Sequence, residues 1–273
     1  MIFEVRTPSL LLQPYVEMLT FYADFTAGYE MERLLPEGVI EVIIDLTERP
    51  KAIYHNEYLY EIQSCRTAWI SGMRNRFITI NAGGINSSMF VIRFKPGMAH
   101  PFLQIPIAEL NHRVVEADSI LKQELTGLRE QILNVVSVDV KFQIVERYLI
   151  QKLRQSADMQ PVVYYAIQQI INNPATITIQ HIVEKTGYSH KHFLALFSKY
   201  VGFNPKQFLR IVKFQQVIHR LEQTPQLNWT QIAYDSGYYD QAHFINDFKA
   251  FSGFKPMEYM NKKGDIINYI PII

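Results

Sequence analysis

The stretch IAYDSGYYDQAHFINDFKAFSGFKPMEY, residues 232–259, repeats the pattern of IVEKTGYSHKHFLALFSKYVGFNPKQF, residues 182–208. Each copy contains a Gly-Tyr pair, then two phenylalanines four residues apart, then Gly-Phe-x-Pro. The offset is 50 residues up to the Gly-Tyr pair and 51 after it, because Tyr239 is inserted in the second copy. An internal repeat of this length indicates one supersecondary unit used twice.

Each copy predicts a helix-turn-helix, over residues 178–200 and 228–251. Thr178 and Asn228 are placed to cap the first helix of each unit, and a glycine, Gly187 or Gly237, ends that helix. A second capping residue then begins the second helix, whose aromatic residues recur at helical spacing on one face. The opposite face of this second helix is left for a partner.

A long helix is predicted to join the two units. It begins near Pro205, because proline fits the first turn of a helix, and it is broken at Thr224-Pro225. Roughly 17 residues at 1.5 Å each give a rod of about 25 Å. The second helix of each unit is called its reading helix. Such a rod can hold the two reading helices about one DNA turn apart, roughly 34 Å, so that they enter successive major grooves.

The region from Val162 to Met260 resembles the DNA-binding domain of bacterial AraC/XylS-type transcription regulators. The residues that carry the resemblance are the run Ile232 to Tyr238, then Phe244, Phe248-Lys249, Gly253 to Pro256 and Tyr259. The resemblance covers about a third of the chain. It implies a seven-helix domain with two helix-turn-helix units, here placed at residues 162–262, and a function in sequence-specific transcription regulation.

The faces of the two reading helices predict which side chains contact DNA. Positions outside the phenylalanine stripe are expected to read bases: His190, Lys191, Leu194, Ala195, Gln241, Ala242, Ile245 and Asn246. Gln241 and Asn246 suit adenine, Ile245 and Ala242 suit thymine methyl groups, and Lys191 and His190 suit guanine. The family often carries arginine at the positions of Ala195 and Asn246, so the target sequence is left open. Basic residues around these helices are expected to contact phosphates: Lys185, Lys199, Lys206, Arg210, Lys213, Lys249 and Lys255.

Charge is divided between the two parts of the chain. Residues 160–263 hold 11 Lys and Arg against 6 Asp and Glu, a net charge of +5, whereas residues 1–159 hold 16 against 19, a net charge of −3. The basic part is therefore the part with the repeat, as expected for a domain that binds double-stranded DNA.

The first 106 residues show short β-rich runs between turn signals. The runs are Val39 to Leu46, Tyr54 to Ile62, Phe77 to Ile80 and Met89 to Phe94. This spacing favours a small barrel or sandwich. The region is similar to the cupin-like N-terminal domains of AraC/XylS-type regulators, particularly through the turns Leu35 to Gly38 and Phe94 to Gly97. The predicted fold class is therefore α+β, with a cupin-like sensor domain before an all-α domain.

Residues 107–155 change to helical periodicity and predict two amphipathic helices. These helices either close the sensor domain or form a dimer interface, and the pattern supports both readings equally. Residues 156–161 read as a short polar linker.

The composition gives little support for an enzyme. The histidines His55, His100 and His112 show no metal-ligand spacing, the lone Cys65 has no cysteine or histidine partner nearby, and Gly83-Gly84 lacks the context of a phosphate-binding loop. We therefore expect no catalytic residues, no metal and no cofactor. Aromatic and basic residues of the sensor domain are candidates for binding an effector: Tyr54, Tyr58, Trp69, Arg74 and Arg76.

The start of the chain carries no signal-peptide pattern, and no apolar run is long enough to span a membrane. We therefore expect a cytoplasmic protein that does not insert into membranes. Its expected partner is double-stranded DNA, with RNA polymerase, a small-molecule effector and a second subunit as further candidates. An alternative is a cupin-like enzyme or small-molecule carrier fused to a helical interaction module.

Overall fold

The computed structural model describes residues 1–47, 49–156, 160–223 and 228–272. The described strands are β1 Ile2–Arg6, β2 Val16–Phe25, β3 Met31–Leu34, β4 Glu41–Asp45, β5 Lys51–Tyr54, β6 Glu61–Cys65, β7 Ala68–Ser71, β8 Ile78–Asn81, β9 Ser87–Phe94, β10 Val114–Glu116 and β11 Tyr269–Pro271. The run Tyr54 to Ile62 holds the turn of the β5–β6 hairpin and the ends of its two strands.

The strands form two antiparallel sheets, in the orders β1-β2-β9-β4-β7-β10 and β11-β3-β8-β5-β6. Within the described ranges the two sheets do not close into one barrel. Side chains from both sheets, including Ile43, Trp69 and Met89 of the first and Ile53 and Cys65 of the second, form one buried cluster. Because side chains alternate along a strand, this cluster marks the inner faces of a sandwich.

Helices cover the outer face of the six-stranded sheet. They are α1 His100–Leu103, α2 Asp118–Leu121, α3 Glu124–Leu133 and α4 Val138–Arg154, with a 3-10 turn at Ile107–Leu110. Phe142 of α4 packs against Phe90 of β9 with ring centroids 5.0 Å apart. Residues 107–155 are not helical throughout, because β10 lies within them and pairs with β7.

Seven helices make up the described parts of the C-terminal region, as the resemblance implies. They are α5 Pro161–Asn172, α6 Ile179–Thr186, α7 His190–Val201, α8 Pro205–Gln223, α9 Trp229–Asp235, α10 Gln241–Ser252 and α11 Pro256–Lys262. The mixed α+β class is therefore confirmed. Residues 157–159 of the predicted linker and the predicted break at Thr224-Pro225 lie outside the described residues.

The helix signals read from the sequence are confirmed in both repeats. Thr178, Ser189, Asn228 and Asp240 each accept a hydrogen bond from the backbone N–H three residues later. Gly187 ends α6 and Gly253 ends α10, both in the left-handed conformation. Such caps satisfy backbone groups that the helix itself leaves unpaired.

One large hydrophobic core joins the outer face of the six-stranded sheet, its covering helices and the C-terminal helices, and it is separate from the cluster between the two sheets. The chain also returns to the N-terminal domain after α11, because β11 pairs with β3 and places Tyr269 opposite Leu34. Asn268, just before β11, exchanges hydrogen bonds with Gln215 of α8 at 3.0 and 3.2 Å. The two domains therefore form a closely packed unit. Of the helices in the described ranges, none combines the length and the apolarity needed to cross a bilayer.

Candidate nucleic-acid interface and cavity

The two reading helices, α7 and α10, are built alike. Each has 12 residues, begins after a side-chain cap and ends at a glycine. Phe193 and Phe197 of α7 and Phe244 and Phe248 of α10 are fully buried. This stripe packs each helix against the core. It therefore determines which face of the helix is exposed.

The structure places most of the predicted base-reading side chains on the exposed face of these helices. His190, Lys191 and Ala195 are exposed on α7, and Leu194 is half-buried. On α10, Gln241, Ala242 and Asn246 are exposed and Ile245 is half-buried. The predicted set is thus available to a partner at the N-terminal half of each helix.

The predicted phosphate-binding residues fall into two groups. Five lysines are exposed, namely Lys185, Lys199, Lys206, Lys249 and Lys255. The other two, Arg210 and Lys213, belong to α8 and contact the second helix-turn-helix unit. For all seven residues, contact with phosphates stays a prediction.

Arg210 binds the carboxylate of Asp247 on α10 with two hydrogen bonds, of 2.5 and 3.1 Å. Asp247 is almost completely buried, and the hydrogen bonds that Arg210 donates to this carboxylate raise the pKa of Arg210. Lys213 donates to the carbonyl oxygen of Gly237, in the turn before α10, at 2.6 Å, and burial lowers the pKa of its amine. Both side chains therefore fix the second unit on α8.

A cavity of about 1210 Å³ lies between the inner faces of the two sheets. Its apolar wall includes Ile43, Ile53, Trp69, Ile78 and Val91. Helices α5 and α8 contribute Ile167, Val212 and Gln215, and the segment before and within β11 contributes Ile267, Asn268 and Tyr269. The cavity therefore touches both domains.

Charged groups also line this cavity. Arg93 of β9 pairs with Glu17 at 3.0 Å, with Glu41 at 2.7 Å and with Glu37. Burial raises the pKa of the Tyr269 hydroxyl well above its ordinary value. Buried charges are costly unless they are paired, and Arg93 is paired with three carboxylates. Glu32 and Lys51 of the second sheet line the cavity as well.

Two of the five predicted effector-binding residues line the cavity. Trp69 lies in its apolar wall, and Arg74 reaches it while donating to Ser71 Oγ at 2.6 Å. Tyr54 and Tyr58 lie outside it, on the β5–β6 hairpin, where Tyr58 stacks on His55. Arg76 is exposed in a separate cleft between the domains.

Three further residues that line the cavity, Arg93, Glu41 and Tyr269, were not predicted from the sequence. A signal was present for Arg93, since it is the one charged residue of β9 and lies at an inward position of the period-two pattern. Glu41 begins β4 and shares that strand with a second carboxylate, Asp45. Glu41 and Arg93 face each other in the register of β4 and β9. Tyr269 carried no local signal.

The three histidines of the N-terminal domain lie apart. His55 stacks on Tyr58 and Tyr60, His100 packs on Tyr200, and His112 packs on Phe203. Cys65 is buried, and burial raises the pKa of its thiol to about 12. Across the described ranges, no group of three or more His, Cys, Asp or Glu side chains is arranged to hold a metal ion.

Comparison with known families gives two matches. Residues 182–262 match a family described as a helix-turn-helix domain, and residues 4–116 match a family described as a domain of unknown function, DUF6597. An uncharacterized HTH-type transcriptional regulator of Haemophilus influenzae is 26% identical over 132 residues, which are 45% of this chain and 44% of that protein. The chain thus matches less than half the length of that relative.

Solved structures give weaker likenesses. ToxT of Vibrio cholerae aligns over 89% of this chain and 98% of its own, with a TM-score of 0.48 and 10% identity. The C-terminal domain of AraT, a response regulator of Geobacillus stearothermophilus, aligns over 38% of this chain and 88% of its own, with a TM-score of 0.36 and 22% identity.

The helix-turn-helix match begins in α6 and ends at the last residue of α11, so it takes in both reading helices and the joining helix. The other match spans the sheet-rich domain from β1 to β10. The two matched segments therefore lie on the two parts of the chain, and the C-terminal part contains a helix-turn-helix domain of a known family.

Proposed function

We propose that this protein is a sequence-specific DNA-binding transcription regulator that reads two neighbouring major grooves with α7 and α10. The observation that supports this most strongly is the repeated reading helix itself. In both copies a capped helix is anchored by a buried phenylalanine pair and leaves a polar N-terminal half exposed. A chromosomal target would place the protein in the cytoplasm.

Each reading helix is assigned a different base preference. On α10, the amides of Gln241 and Asn246 form paired hydrogen bonds with adenine, and Ala242 and Ile245 pack on thymine methyl groups. On α7, His190 and Lys191 donate to guanine acceptors, while Leu194 and Ala195 offer small apolar contacts. The second unit therefore prefers A/T-rich sequence.

Phosphate contacts from the five exposed lysines predict a steep dependence on salt. For B-DNA, the logarithm of the binding constant falls by about 0.9 per neutralised phosphate for each tenfold rise in salt. If Lys185, Lys199, Lys206, Lys249 and Lys255 each contact one phosphate, the slope is about −4.5. Fluorescence anisotropy of a labelled duplex between about 0.05 and 0.3 M salt measures it. Removing one of these lysines should reduce the slope by about 1 and weaken binding to all sequences equally.

A slope near zero would contradict the proposal and favour the alternative, a cupin-like carrier or enzyme fused to an interaction module. Lys122→Ala is the matched control, because Lys122 lies in the N-terminal domain at the end of α2. We expect this variant to keep the slope of the unmodified protein.

The cavity of the N-terminal domain is proposed as the effector site. Three observations support this: the size of the cavity, its apolar wall with a few charged groups, and its contact with α5, α8 and the segment leading into β11. Cavities of this kind are the usual place for small-molecule ligands. An effector regulates DNA binding only if it favours one arrangement of the domains over another. Residues of α8 that also line the cavity would connect a bound effector to the DNA-binding domain.

A cavity-filling variant tests whether the cavity accepts ligands. The fluorophore 8-anilinonaphthalene-1-sulfonate brightens in apolar surroundings, so we expect it to bind the unmodified protein in titrations. In Val91→Trp the indole ring occupies part of the cavity. We therefore expect the fluorophore to bind at least about tenfold more weakly, a loss of about 1.4 kcal/mol of binding free energy. Ile62→Trp, at an exposed position of β6 outside the cavity lining, is the control. Equal binding by both variants would contradict a ligand site in the cavity.

RNA polymerase and a second subunit remain proposed partners. A second subunit would bind through the exposed side of α3, α4 and the segment between them, where Leu133, Val136 and Val140 are exposed apolar residues. The buried side of α4 instead packs on the sheet through Phe142, Val145 and Leu149.

A further inference from the structure

The N-terminal domain contacts the two reading units at equivalent places. In each unit a Gly-Phe turn follows the reading helix, Gly202-Phe203 after α7 and Gly253-Phe254 after α10. Both glycines have a positive φ, of 104° and 79°. The contacts therefore fall at the C-terminal end of each reading helix, away from the exposed N-terminal half.

The first contact is made by the segment after the 3-10 turn. Asn111 donates its side-chain N–H to the carbonyl oxygen of Gly202 at 2.9 Å. The His112 ring lies 5.2 Å from the Phe203 ring, measured between centroids. A Cβ atom on Gly202 would approach Asn111 Oδ1 to 2.7 Å, so only glycine permits this close approach.

The second contact is made by β3. The guanidinium carbon of Arg33 lies 4.3 Å from the ring centroids of both Phe77, in its own domain, and Phe254. A Cβ atom on Gly253 would meet Phe77 at 2.5 Å and Arg33 at 2.7 Å.

Arg33 depends on this stacking. Within the residues that the structure describes, its buried Nε and Nη1 reach no hydrogen-bond acceptor. A planar guanidinium between two aromatic faces is stabilised by the ring quadrupoles. The arginine therefore connects the sheet to the turn after α10 mainly through its two ring contacts.

These contacts have a geometric consequence for reading DNA. When two binding elements belong to one molecule, the second binds at an effective concentration set by how well the spacing of the elements matches the spacing of their sites. Within the C-terminal domain, α8 is the connection between the two units. The N-terminal domain adds a second connection, because it contacts the Gly-Phe turns of both units.

We propose that Asn111 and Arg33 are positioning residues that fix the separation of α7 and α10, so that the N-terminal domain selects which spacing of two DNA motifs is bound. This rests on the proposed function, and it adds a role for a domain that touches no base.

The first test measures the separation without DNA. Spin labels are attached at Lys191→Cys on α7 and Lys249→Cys on α10, both exposed positions, while the single native Cys65 is buried. Pulsed electron-electron double resonance then gives the distribution of distances between the two labels. We expect a narrow distribution in the otherwise unmodified protein and one about twice as broad in Arg33→Ala and in Asn111→Ala. An unchanged width in both would overturn the proposal.

The second test uses DNA. Duplexes carry the two motifs selected by the protein with the spacer changed one base pair at a time, and one duplex carries a single motif. We expect the unmodified protein to lose about tenfold in affinity one base pair away from the best spacing, and Arg33→Ala and Asn111→Ala to lose less than about threefold. Their affinity for the single motif should be unchanged. The same spacing profile in all three proteins would also overturn the proposal.

The controls separate positioning from folding and from the proposed function. Arg66→Ala and Asn134→Ala remove the same residue types from exposed positions of the N-terminal domain. Phe77→Leu removes a stacking ring but keeps Arg33, and should reproduce the Arg33→Ala result. If the variants broaden the label distances but the unmodified protein prefers no sequence, the positioning role stands and the DNA-reading function fails.

Discussion

Replacing both Gln241 and Asn246 with alanine is expected to remove the sequence preference of the second reading helix. Both side chains are exposed at the N-terminal half of α10, and each paired hydrogen bond with a base is worth about 1–3 kcal/mol of discrimination. The double variant should therefore bind the selected site at least about thirtyfold more weakly, since 1.4 kcal/mol corresponds to tenfold. Binding to unrelated duplex should be unchanged, because phosphate contacts remain.

Competition titrations with the selected site and with a scrambled site measure this effect. The matched control is Gln151→Ala with Asn172→Ala, because these residues have the same side chains at exposed positions of α4 and α5. If the Gln241 and Asn246 variant keeps its preference, other residues read the bases, although DNA binding itself stands.

Phe214→Ala is expected to have the largest effect on stability. Phe214 is fully buried on α8, and its ring centroid lies 5.4 Å from that of Phe248 and 5.0 Å from that of Phe251 on α10. Removing a buried phenylalanine costs about 3–5 kcal/mol, because apolar contacts are lost and a cavity remains. That is a large share of the roughly 5–15 kcal/mol by which a domain is stable. Because the lost contacts hold α10 against α8, site-specific DNA binding should fall as well.

Urea unfolding followed by circular dichroism measures the loss. Phe3→Ala makes the same change at a residue that is 59% exposed on β1, and its effect should stay within about 0.5 kcal/mol. A Phe214→Ala variant as stable as Phe3→Ala would contradict the packing of α8 on α10.

The helix-turn-helix units were predictable because their signals are local. A capping side chain such as Ser189 or Asp240 bonds to a backbone N–H three residues away, and a glycine such as Gly253 ends its helix through its own conformation. The buried stripe repeats at helical spacing in the sequence. No distant contact is needed to recognise any of these features.

The connection between the domains could not be predicted, because its contacts are not local in the sequence. Strand β11 has three residues and pairs with β3 near the other end of the chain, and no turn links the two. The contacts of Arg33 with Phe254 and of Asn111 with Gly202 likewise join residues that are far apart in sequence. A strand of this length has no periodicity to read, and a surface arginine looks the same in sequence as a stacked one.

The candidate cavity was predictable only in part. Trp69 and Arg74 line it, but Tyr54 and Tyr58 belong to a hairpin whose turn brings Tyr58 to the surface. Composition shows which residues are able to bind a ligand. Which of them face inward depends on register and on where a strand ends, and a one-residue difference reverses the direction of every side chain.

Selection of bound sequences from a random duplex library, by the full-length protein at about 0.15 M salt, tests the bipartite reader most directly. We expect enrichment of two short motifs whose centres lie about one helical turn, roughly 10 base pairs, apart, with the motif under α10 rich in A/T. Recovery of one undivided motif, or of no motif, would contradict reading by both helices.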